Sequence, residues 1–266
     1  MKQSTKQNWE NFWKTKSDPR EVYPNTDRIR KHLSSIRPLK GSRILEVGAG
    51  TGRDTFFMAK DGAELFLLDY AFHALRLMSS LKPEGVDITI IGGDAFRLPF
   101  KDRTFDVVFH QGLLEHFRLD DSRRILEENI RVLKDGGLLL VDVPQRWHVY
   151  TLIKHLLIPL NAWFAGWERE FSINELVRIL ESLGLVFRAA YGEWMYPSFF
   201  YRATREVLLR LGIRLPMYPV LIKSLALFRS RLRKRLEGTS FQLHTALSIG
   251  VIAEKVRQDT VKINSV

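Results

Sequence analysis

The chain of 266 residues contains no cysteine. Disulfide scaffolds, thiolate zinc sites, sulfur-held iron–sulfur clusters and cysteine nucleophiles are excluded at once. Long uninterrupted apolar runs are missing too. The longest apolar-looking stretch, Trp147 to Trp167, is broken by Lys154, His155 and Pro159 and is too interrupted to span a bilayer. Met1 to Trp9 are polar and lack the apolar core of an export signal, so the expectation is a cytoplasmic protein, peripheral at a membrane at most. There is no acidic excess: 41 Lys and Arg stand against 30 Asp and Glu, a formal charge of +11. The surplus is C-terminal. Residues 1–145 hold 23 cations against 21 acids and residues 146–266 hold 18 against 9. Between Phe200 and Glu237 ten Lys/Arg meet only Glu206 and Glu237. Such a segment suits an anionic partner or membrane surface, or forms an ordinary solvated helix face. With 45% hydrophobic residues the chain can bury a substantial core, which rules out disorder or a fibre.

What is present is an alternation. Short β-rich apolar runs occur at Arg43–Val47, Glu64–Leu68, Asp87–Ile91, Phe105–Phe109 and Gly137–Val143, each closed by polar or turn-forming residues. Helical patterns lie between them at Asp54–Lys60, Ala71–Leu81 and Ser122–Leu133, the last ending at Asp135-Gly136-Gly137. This order predicts a parallel sheet with helices on both faces and a ligand crevice beyond the carboxyl ends of the strands. Ser172, with Glu175 three residues on, marks the start of a helix running to Leu183, and Gly184 stops it. Leu185–Tyr191 and His244–Ala253 read as two further strands, separated by roughly fifty basic, aromatic-rich residues. No internal repeat or low-complexity linker interrupts the chain.

The first strand leads into Glu46-Val-Gly-Ala-Gly-Thr-Gly-Arg53, a glycine-rich turn whose backbone can approach a ligand closely. A dinucleotide fingerprint requires its third glycine at position 53, where Arg53 stands, so pyrophosphate binding is disfavoured. Asp69 ends the second strand, placed to accept both hydroxyls of a ribose. Asp94 follows the third, within the stretch Gly92-Gly-Asp-Ala95, where it can bond an adenine amino group. The histidines show no metal-ligand clustering, and no metal is expected.

In this joint order the sequence resembles the class I S-adenosylmethionine-dependent methyltransferases, particularly the broad type 11-like family acting on small molecules. The similar segments are Ile44–Gly52, Asp69, Asp94 with Leu98-Pro-Phe100, Phe105–Val108, Leu114-Glu-His116 and Arg131–Gly137. The fold implied is α/β, a Rossmann-like, seven-stranded, mostly parallel sheet with helices on both faces and an aromatic, basic helical cap. It divides into an N-terminal helical segment (1–40), a cofactor-binding core (41–146), a cap insertion (147–171), and a remainder (172–266) carrying a helical insertion at 192–242. The cofactor implied is S-adenosyl-L-methionine. By resemblance Gly48, Ala49 and Gly50 line its methionine part, Glu46 holds the amino group and Arg53 meets the carboxylate. Asp69 holds the ribose, Tyr70 packs on the adenine, Asp94 and Ala95 read its edge, and His110 and Gln111 border the sulfonium.

Methyl transfer is an in-line displacement, so catalysis is mainly positioning, with a base where the nucleophile must lose a proton. His110 is the first candidate for that base, with His116 and Glu115 beside it. In the resembling family acceptor specificity comes from the N-terminal segment and from insertions near the last strands. Trp13, Tyr23, Trp147, Trp167 and Trp194 are therefore expected to line the acceptor pocket, within three aromatic clusters that also include Trp9, Trp163 and Phe164. Such a roof favours a small or amphipathic acceptor such as a quinone precursor, a lipid or a lipid-linked glycan. The mixed apolar and basic stretches Leu152–Leu160, Leu208–Leu215 and Arg231–Arg235 suit an interfacial location. The rival expectations are an RNA methyltransferase recruited by the basic C-terminal region, and a catalytically silent cofactor-binding scaffold. The first is weakened by His110-Gln111-Gly112-Leu113, which lacks the Asn/Asp-Pro-Pro-aromatic signature of many base-amino methyltransferases.

Overall fold

The structure, a computed structural model, describes residues 5–15, 27–160, 167–194, 196–219 and 222–256. Its centre is one seven-stranded sheet built from β1 (Arg43–Val47), β2 (Glu64–Asp69), β3 (Ile88–Gly92), β4 (Phe105–Gln111), β5 (Leu133–Pro144), β6 (Leu185–Glu193) and β7 (Ser248–Lys255). The spatial order is β3-β2-β1-β4-β5-β7-β6. The first five strands pair in parallel, whereas β7 runs antiparallel between β5 and β6. The order reverses between β1 and β4, and a doubly wound sheet opens its ligand crevice there.

Strands buried on both faces read as continuous apolar runs, and alternate residues supply two cores. On one face Leu45, Val47, Val108 and Val141 pack with α5 (Leu119–Val132) and α7 (Ile173–Ser182), through Ile125, Leu126, Leu176 and Leu180. On the other, Ile44, Leu67, Phe109 and Leu140 pack with α2 (Arg28–Ile36) and α4 (Phe72–Leu81), through Ile29, Leu33 and Met78. The Ser172 hydroxyl accepts the Glu175 N–H at 3.3 Å and starts α7, as the capping spacing predicts. The remaining helices are α1 (Lys6–Thr15), α3 (Arg53–Phe56), α6 (Val149–Leu157), α8 (Phe199–Arg210), α9 (Lys223–Leu236) and α10 (Ser240–Thr245).

Three local expectations shift. The helix expected over 54–60 breaks into the single turn α3 and a 3-10 turn at Ala59–Asp61, closed by Gly62 in the left-handed region. The strand expected from His244 begins at Ser248 instead. Thr239 caps α10, accepting the Gln242 N–H at 3.3 Å, and so takes His244 and Thr245 into a helix. Leu133 already pairs with Phe105 and Leu138 with Val107, so the Asp135-Gly136-Gly137 turn sits inside β5 as an interruption of register. Among the described residues no helix is long and apolar enough to cross a membrane.

Candidate cofactor and acceptor site

A cavity of about 380 Å³ lies at the carboxyl ends of β1, β2 and β4 and the loop after β3. Its floor is the turn after β1. The Ala49 N–H reaches across to Leu68 O at 3.0 Å, and the Gly52 N–H closes the turn on Ala49 O at 2.8 Å. Gly48 and Gly50 have φ of +67° and +54°, a region that L side chains rarely adopt. A Cβ on Gly50 would stand 2.6 Å from Trp13 Cζ2, so space and backbone both require glycine there.

Four carboxylates line the cavity, from Glu46, Asp54, Asp69 and Asp94, against a single Lys or Arg, Lys6, among the described residues. Asp69 Oδ2 accepts the Gly50 N–H and Oδ1 the Ala71 N–H, both at 2.9 Å, which fixes the carboxylate at the head of the glycine turn. Burial raises the Asp69 pKa, and these N–H bonds only partly offset it. Burial and the Asp54 charge push Glu46 well above the usual carboxylate range, although Thr55 donates to it. A cationic ligand relieves Asp69 and favours ionisation of Glu46, whereas a pyrophosphate would add negative charge to a lining of carboxylates with one lysine among the described residues. The residues present therefore fit S-adenosylmethionine, which carries a sulfonium and an ammonium. The glycine floor leaves room for its chain, and Tyr70, Asp94 and Ala95 stand at the end where an adenine would lie.

The roof comes from α1. Trp9 and Trp13, four residues apart on one helix face, both border the cavity. Glu10 anchors the helix by accepting the Phe72 N–H at 2.7 Å and the His73 N–H at 3.1 Å at the start of α4. Phe96 and Phe117 meet edge to face at 5.3 Å on the same lining. Beside them His116 lines the cavity, with Trp9 edge-on at 4.8 Å.

Behind His116 lies a buried charged group of residues. Glu168 Oε1 stands 3.6 Å from His116 Nδ1, and Glu168 Oε2 takes Lys154 Nζ at 2.7 Å. Lys154, with no exposed surface, also meets Glu170 Oε1 at 2.6 Å, and Glu170 Oε2 meets His155 Nε2 at 2.7 Å. Burial opposes the Lys154 charge, but Glu168 and Glu170 outweigh it and its pKa is raised. Burial lowers His116 to about 4, with Glu168 pulling the other way, so its ring is neutral at pH 7. Burial and then Glu168 drive the Glu115 carboxyl upward.

Of the residues anticipated for the cofactor, Glu46, Gly48, Ala49, Gly50, Asp69, Tyr70, Asp94, Ala95 and Gln111 meet around this one cavity. Arg53 and His110 do not. Arg53 is absent from the lining, and partial burial lowers its pKa. His110 pairs with Val141 in the middle of the sheet and shares the apolar face of Val108. Its exposure is 0%, neither ring nitrogen has a hydrogen-bond partner among the described residues, and burial lowers it to about 3. The pleat carries the preceding and following side chains to the other face, and Gln111 is the one that reaches the cavity. Glu115 is also off the lining and buried.

The acceptor residues scatter more. Trp13 lines the cavity and Tyr23 lies outside the described residues, as do Trp163 and Phe164. Trp147 is 68% exposed, Trp167 packs under the Arg118 guanidinium at 5.1 Å, and Trp194 donates to the Thr245 hydroxyl at 3.0 Å, all away from the cavity. Lys154 does not present an interfacial face either, because it is sealed against Glu168 and Glu170. The residues that sequence reasoning missed are Asp54, Phe96, Phe117 and Glu168. For Phe117 the signal was its place directly after His116, and for Glu168 there was none, since its role arises from a contact across 52 positions.

Residues 45–141 match the family described as methyltransferase domain. The chain is 34% identical over 109 residues to a demethylmenaquinone methyltransferase of Renibacterium salmoninarum, covering 41% of this chain and 44% of that one. It is 32% identical over 144 residues to the enzyme of the same name from Thermobifida fusca, covering 53% and 60%. The chain thus spans about half the length of the curated relatives it matches. In fold it superposes on the magnesium protoporphyrin IX methyltransferase of Synechocystis, crystallised with S-adenosylhomocysteine, with a TM-score of 0.56 at 13% identity, over 86% of this chain and 80% of that one. Motif order, sheet topology and the matched segment together make residues 45–141 a class I S-adenosylmethionine-dependent methyltransferase domain.

Proposed function

We propose that the whole chain transfers a methyl group from S-adenosylmethionine to an amphipathic acceptor, an aromatic ring bearing an ionisable hydroxyl of the quinol type. The observation that carries this reading is the lining of the cavity: a neutral, buried imidazole with Trp9 edge-on to it, together with the Phe96–Phe117 pair and the glycine turn. The names of the demethylmenaquinone relatives support the same class. A polyanionic RNA acceptor fits less well, since four carboxylates border the cavity.

When bound, the cofactor supplies an electrophilic methyl on a positive sulfur. The chain's part is to hold the acceptor ring between the tryptophans of α1 and the Phe96–Phe117 wall, and to take up its proton. His116, with its pKa near 4, is in the base form through the neutral range. Removing the hydroxyl proton makes the oxygen and the adjacent ring carbons nucleophilic. The proton goes to the imidazole, which leaves the acceptor atom free to take the methyl group that the bound cofactor would supply, the bonding pair remaining with the cofactor. The imidazolium then faces Glu168, 3.6 Å away, a gap that closes once the ring carries charge. Lys154 holds Glu168 in place.

His116→Gln should lower kcat on a hydroxylated naphthoquinol by about 10²–10⁴-fold while leaving S-adenosylhomocysteine affinity near the wild type. Radiolabelled methyl transfer and calorimetry read the two effects. Unchanged kcat in the variant would remove His116 from the reaction, and failure of the wild type on every quinol, catechol and phenol offered would remove the acceptor class.

A further inference from the structure

Helix α9 is turned the wrong way round for a helix in water. Its half-buried positions are Ala226, Arg229, Arg233 and Leu236, whereas Leu225, Phe228 and Leu232 are exposed, Phe228 by 63%. These three recur at intervals of three and four and form one stripe. Both inward arginines are engaged within the protein, although Arg229 Nε is buried without a hydrogen-bond partner among the described residues. Arg233 bonds Glu193 at 3.0 Å and the Trp194 carbonyl, and Arg229 lies over the Tyr196 ring at 3.6 Å. The outward Lys223, Arg231, Lys234 and Arg235 make no ion pair with a described residue, and the helix contains no acid at all. It has no buried residue.

The position of the helix matters as much as its composition. Glu193, which holds Arg233, pairs with Ser248, and Ser248 pairs with Pro144 at the carboxyl end of β5. The anchor of α9 is thus at the same end of the sheet as the cavity.

We propose that α9 docks this end of the molecule on an anionic phospholipid surface, with Leu225, Phe228 and Leu232 in the acyl boundary and Arg231, Lys234 and Arg235 against the lipid phosphates. A bilayer offers both an apolar sink and negative charge in one plane. RNA offers the phosphates but no sink for the leucine stripe. A second copy of the chain offers the sink but sets cationic helices face to face. The docking stands independently of the acceptor proposed above, while placing the cavity close to membrane-borne substrates.

The test is co-sedimentation of the full chain with vesicles of phosphatidylcholine alone and of phosphatidylcholine mixed with phosphatidylglycerol. Two variants run beside it, Leu225→Ser/Phe228→Ser/Leu232→Ser and Arg231→Glu/Arg235→Glu. The wild type should bind the anionic vesicles about tenfold or more tightly than the neutral ones. Each variant should lose about tenfold in that binding at an unchanged melting temperature. No vesicle binding, or binding that neither variant alters, overturns the proposal. So does a wild-type dimer, seen by sedimentation velocity, that the leucine variant turns into a monomer. Retention on RNA that the arginine variant loses and the leucine variant keeps would give the face to nucleic acid instead. A chain that binds vesicles but methylates no quinol-type acceptor leaves the docking intact and defeats only the acceptor assignment.

Discussion

An imidazole sealed among apolar side chains costs stability at neutral pH and more in acid, and His110 is placed to show both. Its two ring nitrogens are buried without partners among the described residues, on the face occupied by Val108 and Val141. His110→Leu should therefore stabilise the fold at pH 7 by about 1–3 kcal/mol, the usual cost of an unsatisfied buried polar group. The folded pKa is about 3 against an ordinary 6.5, so the unfolded chain binds the proton first as pH falls. Stability from this group is complete above 6.5 and is lost as pH drops toward 3. The advantage of the variant should widen by about 1.4 kcal/mol per pH unit between 6 and 4. Urea denaturation at pH 7, 5 and 4 reads this, and a variant less stable than the wild type at pH 7 would show that the ring is satisfied after all. Sequence order alone made His110 and Gln111 equivalent neighbours at a strand end, whereas the pleat decides that only one of them reaches the cavity.

At the scale of elements, α6 and the chain after it are held together by charge. Lys154 has no exposed surface and bridges Glu168 and Glu170. Lys154→Met leaves two carboxylates buried without their cation, and the expected loss is about 3–5 kcal/mol. The triple variant Lys154→Met/Glu168→Gln/Glu170→Gln should recover most of it, because the uncompensated charges are gone. Thermal or chemical unfolding of the pair distinguishes this from a packing effect, which the triple variant would not repair. The same arrangement links stability to the site, since Glu168 is also the carboxylate facing His116. In the sequence Lys154 only interrupts an apolar run, and nothing local marks it as buried. The capping residue Ser172, by contrast, announced α7 correctly because its effect is confined to three residues.

For the whole molecule, the distribution of charge sorts ligands. The chain is basic overall, at +11, but its cavity is acidic, with Glu46, Asp54, Asp69 and Asp94 on the lining. S-adenosylmethionine and S-adenosylhomocysteine should each raise the melting temperature by several degrees, about 2.7 kcal/mol at roughly a hundredfold excess over Kd. NAD should give no shift, because its pyrophosphate meets those carboxylates and Arg53 stands where the third glycine of a dinucleotide turn belongs. An equal shift with NAD, or none with S-adenosylhomocysteine, would contradict the electrostatic account of the cavity. The positive surplus is spent elsewhere, chiefly on α8 and α9 at the end of the sheet that also carries the cavity.

The sequence by itself determined the parallel sheet, the glycine turn with its carboxylates and the cofactor class, because strand and helix periodicity, the glycine spacing and the place of each acid at a strand end are local patterns. Asp69 ends its strand, and the parallel pairing of β1 with β2 then brings it to the glycine turn, where it accepts the Gly50 N–H. Only the tertiary structure decided which aromatics face the cavity, which histidine lines it, and that α9 turns its leucines outward. Those outcomes depend on packing between segments far apart in the chain. Trp13 over Gly50, Glu168 behind His116 and Arg233 on Glu193 join residues 37, 52 and 40 positions apart, a separation at which sequence pattern carries no directional information.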